Sequence, residues 1–523
     1  MEVVQGRALR VRVRNPDRFT AVIPKCHYEG EIAPGIHEIL VNWDYDESLV
    51  LKNMGVKSVP SPINRSYSWP GSYKPMVHQK ETAEFLTMHK RAFCFDEMGL
   101  GKTCAAAWAA DYLMNIGQVK RALIICPVSI MQAAWQQDLF KVLMHRTVGI
   151  AHGDRNKRVA VIDSGCEFCI INYDGVQIVE EEIKAGGFDL IIMDEANNVK
   201  NAQAKRSKSI GRLLGVDTRI WLMTGTPAAQ SPEDAYGLAK LVSPERVPKF
   251  FGAWRDMVMQ KLTMYKWIPR ARAKDIVHNA LQPAIRHTKE ECLDLPDMVY
   301  VDRMVPLTKQ QEKYYRKLKE TMIAVAAGEE ITAVNAAAAL NKLLQLSCGV
   351  VYADATNGDK KNAVEFDVKP RLDALADVIE ESTSKVIVFA PFRHTISMLE
   401  RDLAARGYTT ATISGDVPSN KRGPIFAAFQ YQPEPRVIII QPQAAAHGVT
   451  LTEASTVVWF GPTTSLDTYL QANARAHRKG QKNKVTVVHM QGSPVEAKLY
   501  KALSVRGAAH IELLDLYKEI MEL

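Results

Sequence analysis

The sequence has 523 residues and a formal net charge of +8, with 47% hydrophobic and 24% charged residues. These values are ordinary for a globular protein, and the length suggests about three domains with ample core. No stretch of about 18 uncharged apolar residues occurs, which argues against a membrane span. The eight cysteines are scattered, which favours a reducing compartment.

The first 72 residues differ in pattern from the rest of the chain. Apolar residues alternate from Leu9 to Val13 and recur at 39–41, which predicts short strands separated by turns. Residues 58–71 are rich in Pro and Ser and predict a linker. We therefore expect residues 1–72 to form a small β-rich accessory domain followed by its linker.

From residue 73 onward, the chain contains two series of apolar strands that alternate with helices. The predicted strands are 122–126, 168–172, 190–193 and 220–223 in the first series, and 386–389, 409–413, 437–440, 456–460 and 485–489 in the second. Long helices at 309–327 and 331–346 separate the two series. Such alternation is typical of parallel sheets covered by helices. The predicted fold class is α/β, with parallel-sheet lobes at 73–295 and 296–523 and helical insertions.

Residues 96–103 read Asp-Glu-Met-Gly-Leu-Gly-Lys-Thr and lie between an apolar run and an Ala-rich helical stretch. A strand, a glycine-rich turn, Gly-Lys-Thr and a helix together predict a phosphate-binding loop. Gly99 and Gly101 would let main-chain N–H groups surround phosphate oxygens. Lys102 would reach the β- and γ-phosphates, and Thr103 would bind Mg²⁺. The loop by itself predicts only a nucleotide-binding class of protein, with Mg²⁺ as the expected metal ion.

Two later segments supply candidate catalytic side chains. Asp194 and Glu195 follow the apolar run 190–193, at the strand end where open α/β sheets bind ligands. We assign Asp194 to Mg²⁺ and Glu195 to the general base that activates water. Arg475 and Arg478 are three residues apart on a predicted helix, hence on one face, and could stabilise charge at the γ-phosphate. Taken alone, an acidic turn and an exposed basic helix are the structural alternatives.

A basic segment between Lys249 and Lys289 contains nine Lys or Arg residues against two Asp, a charge of +7. Aromatic residues are interleaved with these charges, and such a patch suits a nucleic-acid backbone because each neutralised phosphate releases counterions. A solvated helical surface is the alternative. The candidate DNA-binding residues here are Lys261, Lys266, Arg270 and Arg272.

The ordered motifs resemble those of superfamily 2 helicases, specifically the Swi/Snf-type double-stranded DNA translocases. Residues 96–103 resemble motif I of that family, whose consensus itself begins with Asp-Glu. Gln79 resembles the glutamine that reads adenine, and Ser129, with Trp135 downstream, lies in a segment similar to motif Ia, a DNA-backbone contact. Residues 194–201 and 224–227 resemble motifs II and III.

The second half of the chain continues the resemblance in the family's order. Residues 286–289, followed by Leu-Pro at 295–296, are similar to the segment that links the lobes. Residues 386–391 resemble motif IV, and 471–481 resemble motif VI, which contains the two arginines. The segment that begins at Gly448 resembles motif V and implies a DNA contact at this glycine. The family's fold implies that both lobes are RecA-like.

Several positions depart from the family pattern. Asn197 stands where motif II usually has His, a residue thought to couple the metal site to motifs III and VI. His287 replaces a second Arg in the linking segment, and residues 446–447 and Thr450 differ within motif V. No chromatin-reading module is recognisable. A compact bacterial or phage type is therefore expected, in the cytoplasm of a bacterial cell or phage-infected host.

The sequence thus predicts an ATP-dependent DNA translocase, a DNA-dependent ATPase that moves along double-stranded DNA and remodels DNA or DNA–protein complexes. One alternative is a strand-separating helicase acting on forked DNA or RNA. Another, of a different class, is a nucleic-acid-binding ATP switch with little turnover. The expected partner is DNA, with replication or recombination proteins as further candidates and a monomer as the working unit.

Overall fold

The computed structural model comprises two compact units. Unit 1 contains Met1–Ala228 and Pro232–Cys292, and unit 2 contains Ala229–Ser231 and Leu293–Leu523. The residues that the structure describes are 1–23, 25–228, 231–262, 267–293, 295–328, 333–352, 363–444 and 449–504. Lys266 and Gly448, both predicted DNA contacts, lie outside them. Among the described residues, no helix combines the length and apolar character needed to cross a bilayer.

Unit 1 begins with a four-stranded antiparallel sheet in the order β1-β2-β4-β3. Its elements are β1 (Glu2–Val4), β2 (Ala8–Val13), α1 (Pro16–Val22), β3 (Cys26–Ala33) and β4 (Ile36–Asn42), followed by α2 (Tyr45–Asn53) and α3 (Ile63–Ser66). Leu9, Val11, Ile39 and Val41 form its buried face, because alternate residues of a strand point to the same side. The β-rich character of the N-terminal region is confirmed, and this region also contains helices that the pattern did not predict.

Residues 58–71 are more than an exposed linker. Ile63 and Tyr67 are buried in the same apolar core as Trp108 of the first lobe. The Trp108 indole N–H also donates to the carbonyl of Pro70 over 3.1 Å. The Pro- and Ser-rich composition correctly indicated little regular structure, but the apolar side chains between those residues bind the segment to the lobe.

The rest of unit 1 is built on a parallel seven-stranded sheet. Its order is β13-β5-β10-β9-β6-β8-β7. The strands are β5 (Arg91–Cys94), β6 (Ala122–Cys126), β7 (Val148–Ala151), β8 (Phe168–Asn172), β9 (Leu190–Asp194), β10 (Arg219–Met223), β11 (Met259–Lys261), β12 (Trp267–Pro269) and β13 (Ala284–Ile285), of which β11 and β12 form a separate hairpin. The central strands are apolar on both faces because helices cover both sides.

Helices of unit 1 pack on both faces of this sheet around two apolar clusters. They are α4 (Val77–Thr87), α5 (Lys102–Asn115), α6 (Val128–Ile130), α7 (Gln137–Val142), α8 (Arg155–Asp163), α9 (Tyr173–Ile178), α10 (Glu180–Ala185), α11 (Lys205–Leu213), α12 (Ala235–Val242), α13 (Phe251–Val258), α14 (Ala273–Ala280) and α15 (Lys289–Cys292). Between α6 and α7 the chain forms a π-helical segment, Met131–Gln136. Such wide turns often occur at functional sites.

Unit 2 contains a parallel six-stranded sheet in the order β14-β21-β20-β17-β19-β18. Its strands are β14 (Met298–Met304), β15 (Val350–Tyr352), β16 (Ala363–Glu365), β17 (Lys385–Phe389), β18 (Thr410–Ile413), β19 (Val437–Ile440), β20 (Ala454–Trp459) and β21 (Val485–Gln491), with β15 and β16 as a separate pair. Its helices are α16 (Lys309–Gly328), α17 (Ala333–Ser347), α18 (Lys369–Glu381), α19 (Arg393–Ala405), α20 (Ser419–Tyr431), α21 (Leu466–Asn473) and α22 (Pro494–Ser504). The predicted fold class, two parallel-sheet α/β lobes with helical insertions, is confirmed.

A buried ion pair joins the helices of unit 2 to its sheet. Nη2 of Arg371 on α18 contacts Oε1 of Glu496 on α22 at 2.6 Å, and both side chains are almost fully buried. The same nitrogen donates to the carbonyls of Phe460 and Met490, at 2.6 and 2.8 Å. Arg371 therefore connects two helices with the ends of β20 and β21.

Candidate nucleotide-binding site

The loop between β5 and α5 has the backbone that phosphate binding requires. Gly99 and Gly101 have φ angles of 92° and 78°, in the left-handed region that glycine adopts at little cost. A Cβ atom at Gly101 would also lie 2.1 Å from Nε2 of Gln79. The backbone conformation therefore favours glycine at position 101, and a side chain there would displace the Gln79 amide.

Lys102 and Thr103 are the first residues of α5, directly after the glycines. The Lys102 ammonium donates to the carbonyls of Asp96 and Glu97, at 2.7 and 3.3 Å, so it closes the loop on itself. The N-terminus of this 14-residue helix adds a partial positive charge. A phosphate group bound here would compete with those carbonyls for the ammonium group.

Gln79 lies on α4 and is bonded to the phosphate loop. Its Nε2 donates to the carbonyl of Leu100 and its Oε1 accepts from the N–H of Met76, both at 3.0 Å. A ring nitrogen of His78 also lies 2.9 Å from the Leu100 carbonyl. The structure thus places Gln79 beside the predicted nucleotide site, and its contact with adenine stays a prediction.

Asp194 is the last residue of β9, and β10 separates β9 from β5 in the sheet. Its two carboxylate oxygens accept from the Trp135 indole N–H and the Glu195 N–H, both at 2.9 Å. Burial raises the pKa of Asp194, against the opposing charge of Lys102. Glu195 has a φ of 52°, an uncommon left-handed conformation for a residue with a side chain. Sheet order thus brings the predicted metal ligand and base to the same edge as the phosphate loop.

Trp135 is a site residue whose position the sequence did not reveal. The resemblance of this segment to motif Ia implied a DNA-backbone contact, but the Trp135 side chain is fully buried and its N–H donates to Asp194. It lies in the π-helical segment, whose wider turn changes the direction of its side chains relative to an α-helix. Ser129, in α6, is half-buried, and its DNA contact stays a prediction.

Motifs II and III are in contact despite the replacement at Asn197. Nδ2 of Asn197 lies 3.1 Å from Oγ1 of Thr226. The Thr226 N–H donates to Oγ1 of Thr224, whose own N–H bonds the carbonyl of Cys94 at the end of β5. The amide of Asn197 therefore links the acidic turn to the polar turn within unit 1.

The two candidate arginines of unit 2 do not share a helix face. α21 ends at Asn473, and residues 474–480 form turns, so the helix predicted through Arg475 and Arg478 is wrong. Arg475 is buried, and Nη1 of Arg478 donates to the carbonyl of Val449 at 3.0 Å. Their role at the γ-phosphate stays a prediction.

Tertiary contacts explain why α21 ends early. Oδ1 of Asn473 accepts from the Trp459 indole N–H at 2.9 Å, which holds the last helical residue on β20. Nε2 of Gln481 reaches three carbonyls, those of Thr452, Ala454 and Ala476, at 3.1, 2.9 and 3.0 Å. A local helical pattern contains no information on these bonds.

The basic segment folds as a helix, a hairpin and a second helix, α13, β11–β12 and α14. Lys261 is exposed, with its ammonium 5.9 Å from the Trp267 ring. Arg272 is exposed at the start of α14. Arg270 is exposed too, but its Nε donates to two main-chain carbonyls at the end of α13. The predicted DNA contacts of these residues remain predictions.

The residues present suit a magnesium ion held jointly with a nucleotide. The described residues contain no cluster of three or more His, Cys, Asp or Glu side chains that could hold a metal by itself. Mg²⁺ bound with ATP needs only one or two protein oxygens besides phosphate oxygens and water. Thr103 at the start of α5 and the buried carboxylate of Asp194 are of that chemical type.

A phosphate loop and an acidic strand end on one of two parallel α/β lobes define a helicase-like ATPase. Residues 78–348 match the family model described as SNF2-related domain, and residues 370–480 match the helicase conserved C-terminal domain. The chain therefore belongs to the SNF2-related family of ATPases. The resemblance inferred from the motifs is confirmed.

Individual relatives are distant in sequence. The chain is 25% identical over 445 residues to the Chromodomain-helicase-DNA-binding protein 1-like of Danio rerio, covering 80% of this chain and 41% of that protein. It is 26% identical over 466 residues to a SWI/SNF-related matrix-associated actin-dependent regulator of chromatin subfamily A-like protein 1 homolog of Caenorhabditis elegans, covering 84% and 62%. A solved structure, the Sulfolobus solfataricus SWI2/SNF2 ATPase core in complex with dsDNA, aligns with 20% identity and a TM-score of 0.42, covering 87% of this chain and 96% of that one. The chain thus spans less than two thirds of the length of these two curated relatives.

Proposed function

We propose that the protein is a DNA-dependent ATPase that moves along double-stranded DNA and remodels DNA or DNA–protein complexes. The observation that carries this proposal is the sheet edge of unit 1. There the phosphate loop lies at the end of β5, and Asp194 and Glu195 lie at the end of β9, with β10 between these strands, in a chain that belongs to the SNF2-related family. The names of the relatives, several of which include chromatin or DNA binding, agree with a DNA substrate.

In this proposal the residues of unit 1 bind ATP and activate water. Lys102 leaves the loop carbonyls for the β- and γ-phosphates, and Gln79 contacts adenine. Glu195 accepts the proton of the attacking water, with Asp194 and Thr103 as ligands of Mg²⁺. The ion would neutralise charge on the phosphate oxygens when bound.

The two motor lobes are residues 73–295 and 296–523, and residues 1–72 are an accessory domain. Arg475 and Arg478 of the second lobe supply positive charge to the γ-phosphate as hydrolysis proceeds. Cycles of ATP binding and product release would open and close the lobes on DNA. We further propose a monomer as the working unit, replication or recombination proteins as partners, and the cytoplasm of a bacterial or phage-infected cell as its location.

DNA would be held mainly through its phosphates. Ser129, Lys261, Arg270 and Arg272 are the described candidates for these contacts, together with Lys266 and Gly448. Phosphate contacts carry little sequence information, so we expect weak sequence preference and a strong dependence of affinity on salt.

The first test is steady-state ATP turnover by the protein alone and with duplex DNA, single-stranded DNA, forked DNA or RNA. Stimulation chiefly by duplex, together with ATP-dependent displacement of a triplex-forming strand, is the expected result. Stimulation confined to forks, single strands or RNA would replace the proposal with a strand-separating helicase. Absence of turnover under every condition would instead indicate a nucleic-acid-binding switch.

The second test concerns the basic segment. Replacing Lys261 and Arg272 by Gln should lower DNA affinity and reduce the slope of log affinity against log salt by about 0.9 per lost phosphate contact. The matched control replaces Arg155 and Lys157, exposed residues of α8, in the same way. If the slope changes no more than in this control, the segment is a solvated surface and the DNA contacts lie elsewhere.

A further inference from the structure

The stretch of chain that leaves unit 1 runs alongside the phosphate loop. β13 pairs with β5 in parallel, and the Phe95 N–H donates to the carbonyl of Ile285 at 2.8 Å. The pairing continues beyond the strands, since the Glu97 N–H donates to the carbonyl of His287 at 3.0 Å. The Lys289 N–H then bonds Oε2 of Glu97 at 3.1 Å. Residues 95–97 of the loop are therefore bonded directly to the chain that leads into unit 2, which begins again at residue 293.

The side chain of His287 strengthens this attachment. Oδ1 of the fully buried Asp96 accepts from both the main-chain N–H and the Nδ1 of His287, each at 2.9 Å, and Oδ2 accepts from Thr82 at 2.7 Å. Nε2 of His287 lies 3.0 Å from Oε2 of Glu81 on α4. Both ring nitrogens thus face a carboxylate, an arrangement that only the imidazolium form satisfies with two donors.

Asp96 connects this histidine to Lys102 of the phosphate loop. Its carboxylate holds His287, while its carbonyl accepts from Nζ of Lys102 at 2.7 Å. The two contacts belong to one residue whose own side chain is buried and fully bonded. A displacement of His287 is therefore transmitted to the carbonyl on which the Lys102 ammonium rests.

We propose that His287 is a positioning residue for the phosphate loop. It lies in the segment that joins the two units and holds that segment to Asp96 of the loop and to Glu81 of α4. This inference rests on the proposed ATPase activity of the same loop. His287 does not touch the phosphate-binding groups, so it acts on how well the loop is arranged to receive ATP. Loss of the bridge should therefore change KM for ATP much more than kcat.

The charge of His287 gives the proposal a signature in pH. Hydrogen bonding to Asp96 raises the pKa of His287, with burial opposing and Glu81 adding to the rise. Burial opposes ionisation of Asp96, yet its bonds with His287 and Thr82 hold the pKa of that carboxyl below its usual value. The bridge is therefore complete below pH 6.5, the ordinary value for histidine, and is lost as pH rises through the raised value. The other charged or titratable groups nearby are His78, whose ring centroid lies 5.9 Å from that of His287, and Lys102, Glu97, Arg286, Glu291, Cys94 and Cys292.

The test compares His287→Asn with His152→Asn, which alters an exposed histidine of the same unit. For His287→Asn we expect KM for ATP to rise by about tenfold, as loss of one charged hydrogen bond allows, with kcat changed by less than about twofold. The wild-type KM should increase as pH rises through the raised pKa, whereas the KM of the variant should be nearly independent of pH. An unchanged KM, or the same change in His152→Asn, would overturn the proposal.

Hydrogen exchange of the Phe95 and Glu97 amides in the nucleotide-free protein separates this inference from the proposed function. These amides donate to the joining segment, so His287→Asn should accelerate their exchange even if the protein hydrolyses no ATP. Unchanged exchange would refute the positioning role whatever the turnover. If His287→Asn does not fold, Glu81→Gln replaces it, because the Glu81 side chain is 53% exposed. That variant should show a smaller rise in KM and lose affinity at a lower pH than the wild type, and a wild-type pH profile would refute the bridge.

Discussion

Replacing Trp135 by Phe should shift the pH dependence of ATP hydrolysis. The substitution removes the indole N–H that donates to Oδ2 of Asp194 and leaves that buried oxygen without this donor. A hydrogen bond to a charged group contributes about 1.5–3 kcal/mol, and one pKa unit corresponds to about 1.4 kcal/mol. The bond favours the ionised form of Asp194, so its loss should raise the pKa of this carboxyl further above the value already raised by burial.

The sign of the effect follows from the role assigned to the carboxylate. Asp194 must be ionised to bind Mg²⁺, so the pH below which kcat/KM falls should move upward, and kcat/KM in the acidic range should drop by up to about tenfold, while activity well above that pH is preserved. The assay is kcat/KM for ATP at saturating Mg²⁺ across the acidic range. Trp108→Phe is the matched control, because it also removes a buried indole hydrogen bond, but one that is donated to the main-chain carbonyl of Pro70 instead of a carboxylate. An acid limb that moves no further in Trp135→Phe than in this control would refute the reasoning.

Three further outcomes are expected. Glu195→Gln should reduce turnover by about 10²–10⁴-fold with ATP affinity retained, and normal turnover would remove the base assignment. Asn197→Ala removes the bond to Thr226, so DNA-stimulated turnover should fall about fivefold with KM for ATP unchanged. A double-mutant cycle with Thr226→Val measures the coupling between the two residues. Additive effects of the two substitutions would show that they are not coupled. Arg371→Met leaves the Glu496 carboxylate buried and unpaired, which should cost about 3–5 kcal/mol in urea unfolding, and adding Glu496→Leu should recover much of that loss.

The sheets were predictable because their strands are short and apolar along their whole length. The run at 122–126 matches β6 residue for residue, and 437–440 matches β19. Parallel strands covered on both faces need such runs, and the helices between them leave few other topologies. The phosphate loop was predictable for a related reason: the conformation of Gly101 depends on local sequence, in which only glycine tolerates the required φ.

Bonds between distant parts of the chain could not be predicted in the same way. Trp135 reaches Asp194 across 59 positions, and His287 reaches Asp96 across 191. Neither pairing leaves a periodic signal, and the first depends on a π-helical turn. For the same reason the end of α21 was missed, since it is set by the bonds of Asn473 and Gln481 to neighbouring strands.

Within unit 1, α2 holds the N-terminal sheet to the first lobe. The hydroxyl of Tyr45, the first residue of α2, donates to the carbonyl of Thr87 at 3.0 Å and accepts from Arg219 at 3.1 Å, while Lys52 bonds the carbonyl of Met88. Tyr45 is also part of the apolar core of the lobe. Deletion of residues 1–72 would therefore remove side chains from that core, expose apolar surface of the lobe and yield a protein prone to aggregation. A fluorophore on an edge strand of this sheet would report movements of unit 1 from a position outside the candidate nucleotide site.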